Sequence, residues 1–522
     1  MDNIQGHILW VDDEIDFLKA HFLYLERKNY RLTAATNGID ALDLIKTQHF
    51  DIVFLDENMP GKSGLEVLND IKTTAPALPV VMITKNEEED FMDMAIGNLA
   101  ADYLIKPVKP EQILLTLKKN IHKKDILNQQ TTTGYRSDFN EIGMQLSESL
   151  TIPQWADLYR RLVAWDLRLT EADNTMAEML HMQWQEANRL FGRHVKKNYL
   201  SWLESEVGER PLLSTDVMRQ RVMPLIDKGE KVFLVVMDNF RYDQWKAIQP
   251  LLADCFTFDS EELYCSILPT ATQYSRNAIF SGLMPAQIAK LYPELWVDED
   301  EDEGKNLNEE PLVRGFLQRH RRDDIRFAYH KINDTQAGER FIEQLPTMKN
   351  HLLNVCVINF IDMLSHARTE SKTIRELAST EAAYRDLAVN WFRHSSTLAI
   401  FREMARLGFT VVLTTDHGAI RVNRPQKVVG DKNTSLNLRY KVGKQMSYPS
   451  KAVFEITQPQ RYGLPAPNIS STYIFALEND FFAYPNNYNY YVSYYRDTFQ
   501  HGGISLEEMM VPLVVMCPKG DK

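Results

Sequence analysis

Strand patterns that end at possible metal ligands are the feature that most constrains this sequence. Three apolar runs have the composition of buried β-strands: Val232–Met237, Val355–Phe360 and Val411–Leu413. Within three residues of each run there follows an acidic residue: Asp238, Asp362 and Asp416. Open α/β sheets place their chemistry at the carboxyl ends of strands. The pattern therefore predicts an α/β fold with its chemistry at one edge of the sheet.

Length and charge limit the function classes. A chain of 522 residues is too long for one hydrophobic core, so we expect several domains. The formal net charge of −12 argues against a protein that coats nucleic acid, because such proteins usually present a basic face. We expect no direct DNA-binding motif.

Cysteine use and hydropathy indicate a cytoplasmic protein. The chain has 4 cysteines and no Cys-x-x-Cys motif, so we expect no disulfide framework and a reducing compartment. No basic leader precedes an apolar stretch at the N-terminus, and no apolar run approaches the length of a membrane span. We therefore expect no membrane span.

Apolar strands alternate with amphipathic helices over residues 1–124, the first predicted domain. The strand candidates are Ile8–Val11, Arg31–Ala35, Ile52–Leu55, Val80–Ile83 and Tyr103–Ile105. Helical patterns lie between them, as at Gly38–Lys46 and Gly64–Thr73. Five such βα units predict a flavodoxin-like, doubly wound parallel sheet of five strands.

Charged residues converge at three of these strand ends. They are Asp12, Asp13, Asp56 and Lys106. Three carboxylates in one crevice repel one another unless a cation lies among them, and hard oxygen ligands suit Mg²⁺. We therefore predict a magnesium site in the first domain.

This stretch resembles the receiver domain of two-component response regulators over its whole length. The residues that carry the resemblance are Asp12–Asp13, Asp56 within Leu55-Asp56-Glu57-Asn58-Met59-Pro60-Gly61, Thr84, and Tyr103 three residues before Lys106-Pro107. The resemblance implies that Asp56 accepts a phosphoryl group from a sensor histidine kinase of the PorY-like kind.

The same resemblance gives roles to the neighbours of Asp56. The implied ligands of Mg²⁺ are Asp12 or Asp13, Asp56 itself and the carbonyl of Asn58. Thr84 and Lys106 would contact the phosphate, and Tyr103 would be the switch aromatic. The Lys106–Pro107 peptide bond is expected to be cis, an isomer that proline permits at low cost.

The second predicted domain, residues 125–206, is helical. Apolar residues recur at helical spacing in two stripes: Trp155, Leu158, Leu162 and Trp165, then Met176, Met179, Leu180 and Trp184. We predict a small bundle of about three helices whose stripes are core. The polar run Asn128–Asp138 predicts a break before these helices.

The third predicted domain, residues 207–519, supplies further ligand candidates. Asp362 and His366 are four residues apart, so one helical turn would place them on the same face. Asp416 is followed by His417 and then by a glycine, and His501 precedes two glycines. Three imidazoles and three carboxylates suit Zn²⁺ better than Mg²⁺, while Fe²⁺ or Mn²⁺ stays open in one position.

Thr272 has two interpretations at the start of a predicted helix, Asn277–Gly282. It can cap the helix by accepting a backbone N–H bond. Alternatively, its hydroxyl lies at a metal and beside an anion attracted to the helix N-terminus, where it can attack phosphorus.

The order Asp, Thr, Asp-x-x-x-His, Asp-His, His resembles the alkaline phosphatase superfamily. Within that superfamily, the pattern resembles the nucleotide pyrophosphatase/phosphodiesterase branch and the PglZ-type domains. The implied ligands of one zinc are Asp362, His366 and His501, and those of the other are Asp238, Asp416, His417 and the Thr272 oxygen. Thr272 matches the nucleophile, and Thr270 is the competing choice.

Three further points concern substrate binding. Arg276, one turn beyond Thr272, can contact a phosphate oxygen or form a surface ion pair. The asparagine that the related phosphodiesterases place near the non-bridging oxygen has no motif-level match. The tyrosine cluster comprises Tyr484, Tyr488, Tyr490, Tyr491, Tyr494 and Tyr495. It could stack nucleobases, but a β-hairpin with aromatic pairs is the favoured interpretation.

The whole chain resembles the response regulators of type IX secretion. We therefore expect a regulator phosphorylated on Asp56 whose effector is a two-zinc phosphodiesterase, acting on nucleotide-type phosphodiesters. The resemblance implies a homodimer on phosphorylation, and a sigma factor and cytoplasmic parts of the secretion machinery as partners. The alternative is a metal-bound scaffold that binds partner proteins without turnover.

Overall fold

The computed structural model describes residues 5–75, 78–85, 100–121, 123–171, 176–205, 210–298, 307–468 and 470–519. The chain divides into two compact units, Met1–Gly134 and Tyr135–Lys522. No helix in these described ranges is long and apolar enough to cross a membrane.

The first unit is a doubly wound α/β domain. Its parallel sheet has the order β2-β1-β3-β4-β5, with strands β1 Gly6–Val11, β2 Tyr30–Ala35, β3 Ile52–Asp56, β4 Val80–Thr84 and β5 Asp102–Ile105. Its helices are α1 Lys19–Glu26, α2 Gly38–Thr47, α3 Gly64–Thr74 and α4 Pro110–Ile121. All five predicted strands are confirmed, as is the cis Lys106–Pro107 bond. Strands β3 and β4 are buried throughout, which explains their unbroken apolar sequence.

Three long helices follow, as the periodicity predicted. They are α5 Lys123–Leu146, α6 Ile152–Glu171 and α7 Ala177–Glu204. The first stripe is fully buried, and Leu180 of the second stripe is buried too. Glu206, our predicted end of this segment, lies outside the described residues.

The expected break at Asn128–Asp138 is wrong, because α5 continues through this run. Asparagine and threonine lower helix propensity by only about 0.7 kcal/mol or less per residue. Packing compensates for that loss, since Tyr135 and Ile142 of α5 are fully buried in the core shared with α6 and α7.

A six-stranded sheet forms the centre of the second unit. Its order is β7-β18-β10-β6-β9-β8, with β6 Val232–Met237, β7 Phe256–Cys265, β8 Phe327–Ile332, β9 Leu353–Ile358, β10 Thr410–Thr414 and β18 Met510–Pro518. Strands β10, β6, β9 and β8 are parallel to one another, whereas β18 is antiparallel to both of its neighbours, β10 and β7. Because β10, β6 and β9 are adjacent, the three acidic residues that follow them meet at one sheet edge.

Smaller sheets and surrounding helices complete this unit. The additional strands are β11 Ile420–Arg421, β12 Arg424–Lys427, β13 Tyr440–Gly443, β14 Val453–Ile456, β15 Thr472–Ala476, β16 Asp480–Ala483 and β17 Phe499–Gln500. The helices are α8 Met223–Asp227, α9 Tyr242–Leu252, α10 Thr272–Ser281, α11 Pro285–Leu291, α12 Glu309–Arg319, α13 Thr335–Gln344, α14 Phe360–Glu370, α15 Lys372–Leu377, α16 Glu381–His394, α17 Ser396–Arg406, α18 Tyr488–Tyr495 and α19 Leu506–Met509.

Five of the six tyrosines of the cluster, all but Tyr484, lie in helix α18 and not in the favoured β-hairpin. In α18 the rings of Tyr490 and Tyr494 stack with centroids 6.0 Å apart, and those of Tyr491 and Tyr495 stack at 6.2 Å. These pairs are four residues apart, a spacing that brings side chains together on a helix. The aromatic composition favoured a strand, but the i,i+4 contacts decide the local structure.

Replacing Phe233 by alanine should destabilise the second unit by about 3–5 kcal/mol. Phe233 of β6 is fully buried and forms edge contacts with Phe341 and Phe409, so truncation leaves a cavity. Denaturant unfolding measures the change. Phe17→Ala is the matched control, because 83% of Phe17 is exposed. Equal midpoints for both variants would contradict this account of the core.

Candidate phosphorylation site and candidate metal centre

An acidic pocket lies at the carboxyl edge of the first sheet. Ligand atoms of Asp12, Asp13 and Asp56 lie within 4.8 Å of one another. The Lys106 Nζ lies 3.0 Å from Asp12 Oδ2 and 2.9 Å from Asp56 Oδ1. Burial raises the pKa of Asp56 while the hydrogen bond from Lys106 opposes the shift. One lysine faces three carboxylates, so the pocket suits a further cation.

The other residues predicted for the receiver site lie in or next to strands β3, β4 and β5. Thr84 is buried at the end of β4, and its hydroxyl donates a hydrogen bond to Glu57. Tyr103 is half-buried in β5, and the side chain of Asn58 is exposed. Sequence reasoning missed Glu57, although its position directly after Asp56 was a usable signal.

Two ligand groups meet at the carboxyl edge of the second sheet. One contains Asp362, His366 and His501, and the other contains Asp238, Asp416 and His417. Within each group the candidate ligand atoms lie within 4.8 Å of one another. The structure thus brings the six predicted carboxylate and imidazole ligands together in the predicted pairing, and their role as ligands remains a prediction.

Separations within the groups fit a shared ion better than direct hydrogen bonds. His366 Nε2 lies 3.4 Å from Asp362 Oδ2, and His501 Nε2 lies 3.8 Å from Asp362 Oδ1. His417 Nε2 lies 3.9 Å from Asp238 Oδ1 and 3.8 Å from Asp416 Oδ2. Two atoms that are each about 2.0–2.1 Å from a tetrahedral ion are about 3.4 Å apart, close to these values.

Backbone carbonyls fix the tautomers of two histidines. The Nδ1 atom of His417 lies 3.1 Å from the Gly418 carbonyl, and that of His501 lies 3.1 Å from the Thr270 carbonyl. A carbonyl only accepts, so each Nδ1 carries the hydrogen and each Nε2 presents a lone pair to its group. Burial, together with the nearby His417 ring, lowers the pKa of His501 to about 3, which keeps this ring neutral at neutral pH.

The carboxylates differ in their surroundings. Burial raises the pKa of Asp238 despite the neighbouring Arg276. Burial acts to raise the pKa of Asp362 as well, but the neighbouring imidazoles, His366 foremost, outweigh burial, so that pKa is lowered. The neighbours of Asp362 thus stabilise its charged form, whereas the neighbours of Asp238 do not supply enough positive charge to do so.

Arg276 lies beneath the site, fully buried. Its Nε is 2.9 Å from Asp416 Oδ2, one Nη is 3.1 Å from Glu309 Oε1, and the other pairs with Asp238. The ion-pair interpretation holds, but the pair is buried and not on the surface. A contact with phosphate remains a prediction. Sequence reasoning missed Glu309, whose role depends on contacts distant in sequence.

Thr272 is the first residue of α10 and does not cap it. The cap residue is Ala271, which forms no side-chain capping bond, so the capping interpretation is wrong. The Thr272 hydroxyl lies 3.2 Å from His417 Nε2 and 3.5 Å from Asp238 Oδ1. The helix also begins before the predicted Asn277, because the residues from Gln273 onwards are already buried.

Thr270 holds two loops together. Its buried hydroxyl donates to the Gly503 carbonyl at 2.9 Å and accepts from the Gly502 amide at 3.0 Å. Its carbonyl accepts from His501. The hydroxyl of Thr270 is thus engaged by backbone groups, whereas that of Thr272 faces the candidate ligands.

Asn239 is a site residue that the motif search did not find. It follows Asp238 with a backbone φ of 60°, a conformation that asparagine tolerates better than most residues. Its amide donates to Asp362 Oδ1 at 3.2 Å and to the Ser365 hydroxyl at 3.3 Å. An asparagine therefore lies beside the centre, with its amide directed at a candidate ligand. Its place directly after a strand end was the available signal.

Three known families match successive parts of the chain. Residues 8–118 match the response regulator receiver domain, residues 125–203 the PorX response regulator linker domain, and residues 217–516 the BREX system PglZ alkaline phosphatase-like domain. The last match covers more than half of the chain. The chain belongs to the PglZ alkaline phosphatase-like family. The order of its three parts is that of the PorX response regulators, as the sequence resemblance predicted.

The two curated relatives named next each match about a quarter of this chain. The alginate biosynthesis transcriptional regulatory protein AlgB of Pseudomonas putida is 36% identical over 122 residues, which are 23% of this chain and 27% of that protein. The transcriptional regulatory protein ZraR of Klebsiella oxytoca is 32% identical over 143 residues, 27% of this chain and 32% of that protein. The chain thus spans about a third or less of the length of these relatives.

Solved receiver-domain structures cover a similar share of the chain. The receiver domain of NtrX from Brucella abortus is 32% identical and covers 22% of this chain and 98% of its own, with a TM-score of 0.21. The family matches identify the chain as a response regulator with a receiver domain and a PglZ phosphatase-like domain. The receiver implies a phosphodonor kinase, and domains of both kinds generally use divalent metals.

Proposed function

We propose that phosphorylation of Asp56 controls a two-zinc phosphodiesterase in which Thr272 is the nucleophile. The observation that carries the proposal is the Thr272 hydroxyl, which caps no helix and lies 3.2 Å from His417 Nε2 and 3.5 Å from Asp238 Oδ1. A threonine with only a structural role has no reason to face two candidate ligands. We propose nucleotide-type phosphodiesters as substrates.

The donor atoms support zinc. One ion would be held by Asp362, His366 and His501, and the other by Asp238, Asp416 and His417 with the Thr272 oxygen. Three imidazoles and three carboxylates in groups of three are typical of catalytic zinc, which keeps a position open. When bound, two zinc ions supply Lewis acidity that favours ionisation of a hydroxyl and neutralises charge on phosphorus-bound oxygens. Magnesium fits the oxygen-only group of Asp12, Asp13, Asp56 and the Asn58 carbonyl.

The chain's own residues supply the nucleophile and its orientation. The Thr272 oxygen attacks phosphorus in line with the leaving alkoxide, so one P–O bond forms while another breaks. The proton of the Thr272 hydroxyl ends on the departing alkoxide, which is released as an alcohol, because the lone pair of His417 Nε2 is assigned to the metal and cannot accept it. The free N–H groups at the start of α10 attract the phosphate. Water then displaces Thr272 from phosphorus, which restores the hydroxyl.

The receiver and the family order support the regulatory part of the proposal. A sensor histidine kinase would supply the phosphoryl group to Asp56, and phosphorylation would favour a homodimer. Through the likeness to PorX response regulators, we propose a role in type IX secretion, with a sigma factor and cytoplasmic parts of that machinery as partners. A scaffold that binds metal without turnover is the competing outcome of the next test.

The purified protein should carry up to two zinc ions in the second unit and cleave an aryl phosphodiester faster than the monoester. Thr272→Ala should retain the metal but lower turnover by at least about 10³-fold, because the nucleophile is gone. Metal analysis and a chromogenic assay measure both effects.

Thr272→Ser is the matched control, because it retains a hydroxyl and should keep turnover within about tenfold of the parent. Full activity in Thr272→Ala would assign the attack to Thr270 or to water. Bound metal without turnover of any phosphodiester would favour the scaffold.

Asp56 should take up phosphate from a small acyl phosphate only when Mg²⁺ is present. Its carboxylate lies beside Lys106 and the Asp12–Asp13 pair, which together suit a metal and a phosphoryl group. Acid-labile phosphate measures the reaction. Asp56→Ala should remain unlabelled, while Asp43→Ala, on the exposed surface of α2, should label like the parent. Equal labelling of both variants would refute the assignment.

Phosphorylation should strengthen self-association. We propose that the dimer forms through the face with Tyr103 and the predicted helix Pro110–His122; this helix ends at Ile121 in the structure, and His122 lies outside the described residues. Phosphate at Asp56 would draw Thr84 inward and let Tyr103 turn, and about 1–3 kcal/mol would shift the equilibrium by one or two decades. Sedimentation with and without an acyl-phosphate mimic tests this, and an unchanged association constant would remove dimerisation from the account.

A further inference from the structure

Helix α7 of the linker contacts the loops that carry the candidate nucleophile and ligands. It runs from Ala177 to Glu204, and two of its polar side chains, Asn188 and Tyr199, are 1% and 0% exposed. Their hydrogen bonds go to the PglZ part of the chain and not to the neighbouring linker helices. Buried polar groups that leave their own bundle in this way suggest a role beyond the bundle.

Tyr199 holds the segment that leads to Thr272. Its hydroxyl accepts a hydrogen bond of 2.8 Å from the amide of Leu268, four residues before Thr272. The ring is fixed by stacking on Tyr462 at 6.3 Å and by an edge contact with Phe454 at 6.5 Å. Without the Tyr199 hydroxyl, the Leu268 amide would be buried without its partner, which costs about 1–3 kcal/mol.

Asn188 holds the short helix α19. Its Oδ1 accepts from the Leu506 amide at 2.7 Å, and its Nδ2 donates to both carboxylate oxygens of Glu507 at 3.0 and 3.3 Å. Trp184 also donates to Glu507, at 2.6 Å. The side-chain amide of Asn188 thus makes three hydrogen bonds to two successive residues, Leu506 and Glu507, at the start of α19.

Helix α19, which Asn188 holds, is in contact with the loops that carry candidate ligands. The Gly418 amide, next to His417, donates to the Glu508 carbonyl at 3.2 Å. A Cβ on Gly418 would lie only 2.1 Å from the Glu507 carbonyl oxygen, so the two backbone segments are too close for a side chain at residue 418. His501 lies five residues before Leu506 in the sequence. Displacement of α19 would therefore shift the surroundings of both histidines.

We propose that Tyr199 and Asn188 are positioning residues, and that linker helix α7 is thereby a structural part of the candidate catalytic centre. Tyr199 sets the position of Thr272 through Leu268, and Asn188 sets the positions of His417 and His501 through residues 506–508. The kinetic consequence rests on the proposed function, whereas the structural consequence does not. Because α7 belongs to the segment between the receiver and the PglZ domain, any shift of this helix changes both loops together.

Hydrogen exchange in the full-length protein tests the structural part. Tyr199→Phe removes only one oxygen and should speed exchange of the Leu268 amide by about tenfold or more, since its hydrogen bond is lost. Asn188→Leu should have the same effect at Leu506. The matched controls are Tyr159→Phe on α6, whose buried hydroxyl has no partner among the described residues, and Gln183→Met on α7, whose bonds stay within the linker helices.

Kinetics and metal retention test the functional part. Tyr199→Phe should lower kcat on an aryl phosphodiester by about tenfold or more while KM stays within about twofold, because a misplaced nucleophile affects the transition state. Asn188→Leu should weaken zinc retention against a chelator by about tenfold. Neither control variant should change these quantities.

The outcomes separate the two claims. Unchanged exchange at Leu268 and Leu506, or equal changes in the control variants, would overturn the positioning role. Faster exchange in the two test variants, in a protein that never turns over a phosphodiester, would support the positioning role while the proposed function fails. A fall in kcat that all four variants share would show general destabilisation and would also overturn the proposal.

Discussion

Burial of like charge at one sheet edge is the constraint on which the rest of the second unit depends. Strands β10, β6 and β9 are neighbours, so the carboxylates that follow them cannot separate. Asp238 is 3% exposed and Asp416 is 0% exposed, and a buried carboxylate without compensation costs several kcal/mol. Arg276 compensates part of this charge from below. The imidazole nitrogens face the carboxylates from the other side without adding charge while they are neutral, which leaves room for divalent cations.

The loops around this edge are held by one another more than by regular structure. The Ser266 hydroxyl donates to the Asp416 carbonyl at 2.6 Å, and Thr270 bonds to both Gly502 and Gly503. The Thr272 hydroxyl is not needed to hold these loops together, because Ser266 and Thr270 already make the hydrogen bonds to their backbone groups. Thr270 therefore has a structural role, whereas Thr272, two residues later, is left to face the candidate ligands.

Much of this arrangement could be predicted from the sequence, and the failures have physical causes. Strand β6 and its Asp238 follow from an apolar run and its end, and the Asp362–His366 pair follows from helical spacing. Local patterns could not show that Arg276 is buried, because its partners Asp238, Asp416 and Glu309 are distant in sequence. Aromatic composition favoured a hairpin for α18, where i,i+4 ring contacts stabilise a helix instead. The capping interpretation of Thr272 failed because tertiary contacts override local capping preference.

The stereochemical course at phosphorus tests the central claim most directly. A phosphorothioate diester of one configuration, hydrolysed in water enriched in a heavy oxygen isotope, gives a product that is chiral at phosphorus, and its configuration reports how many in-line displacements occurred. Attack by Thr272 and then by water comprises two displacements, so the account predicts net retention of configuration. Net inversion would show a single displacement by water and would contradict Thr272 as the nucleophile.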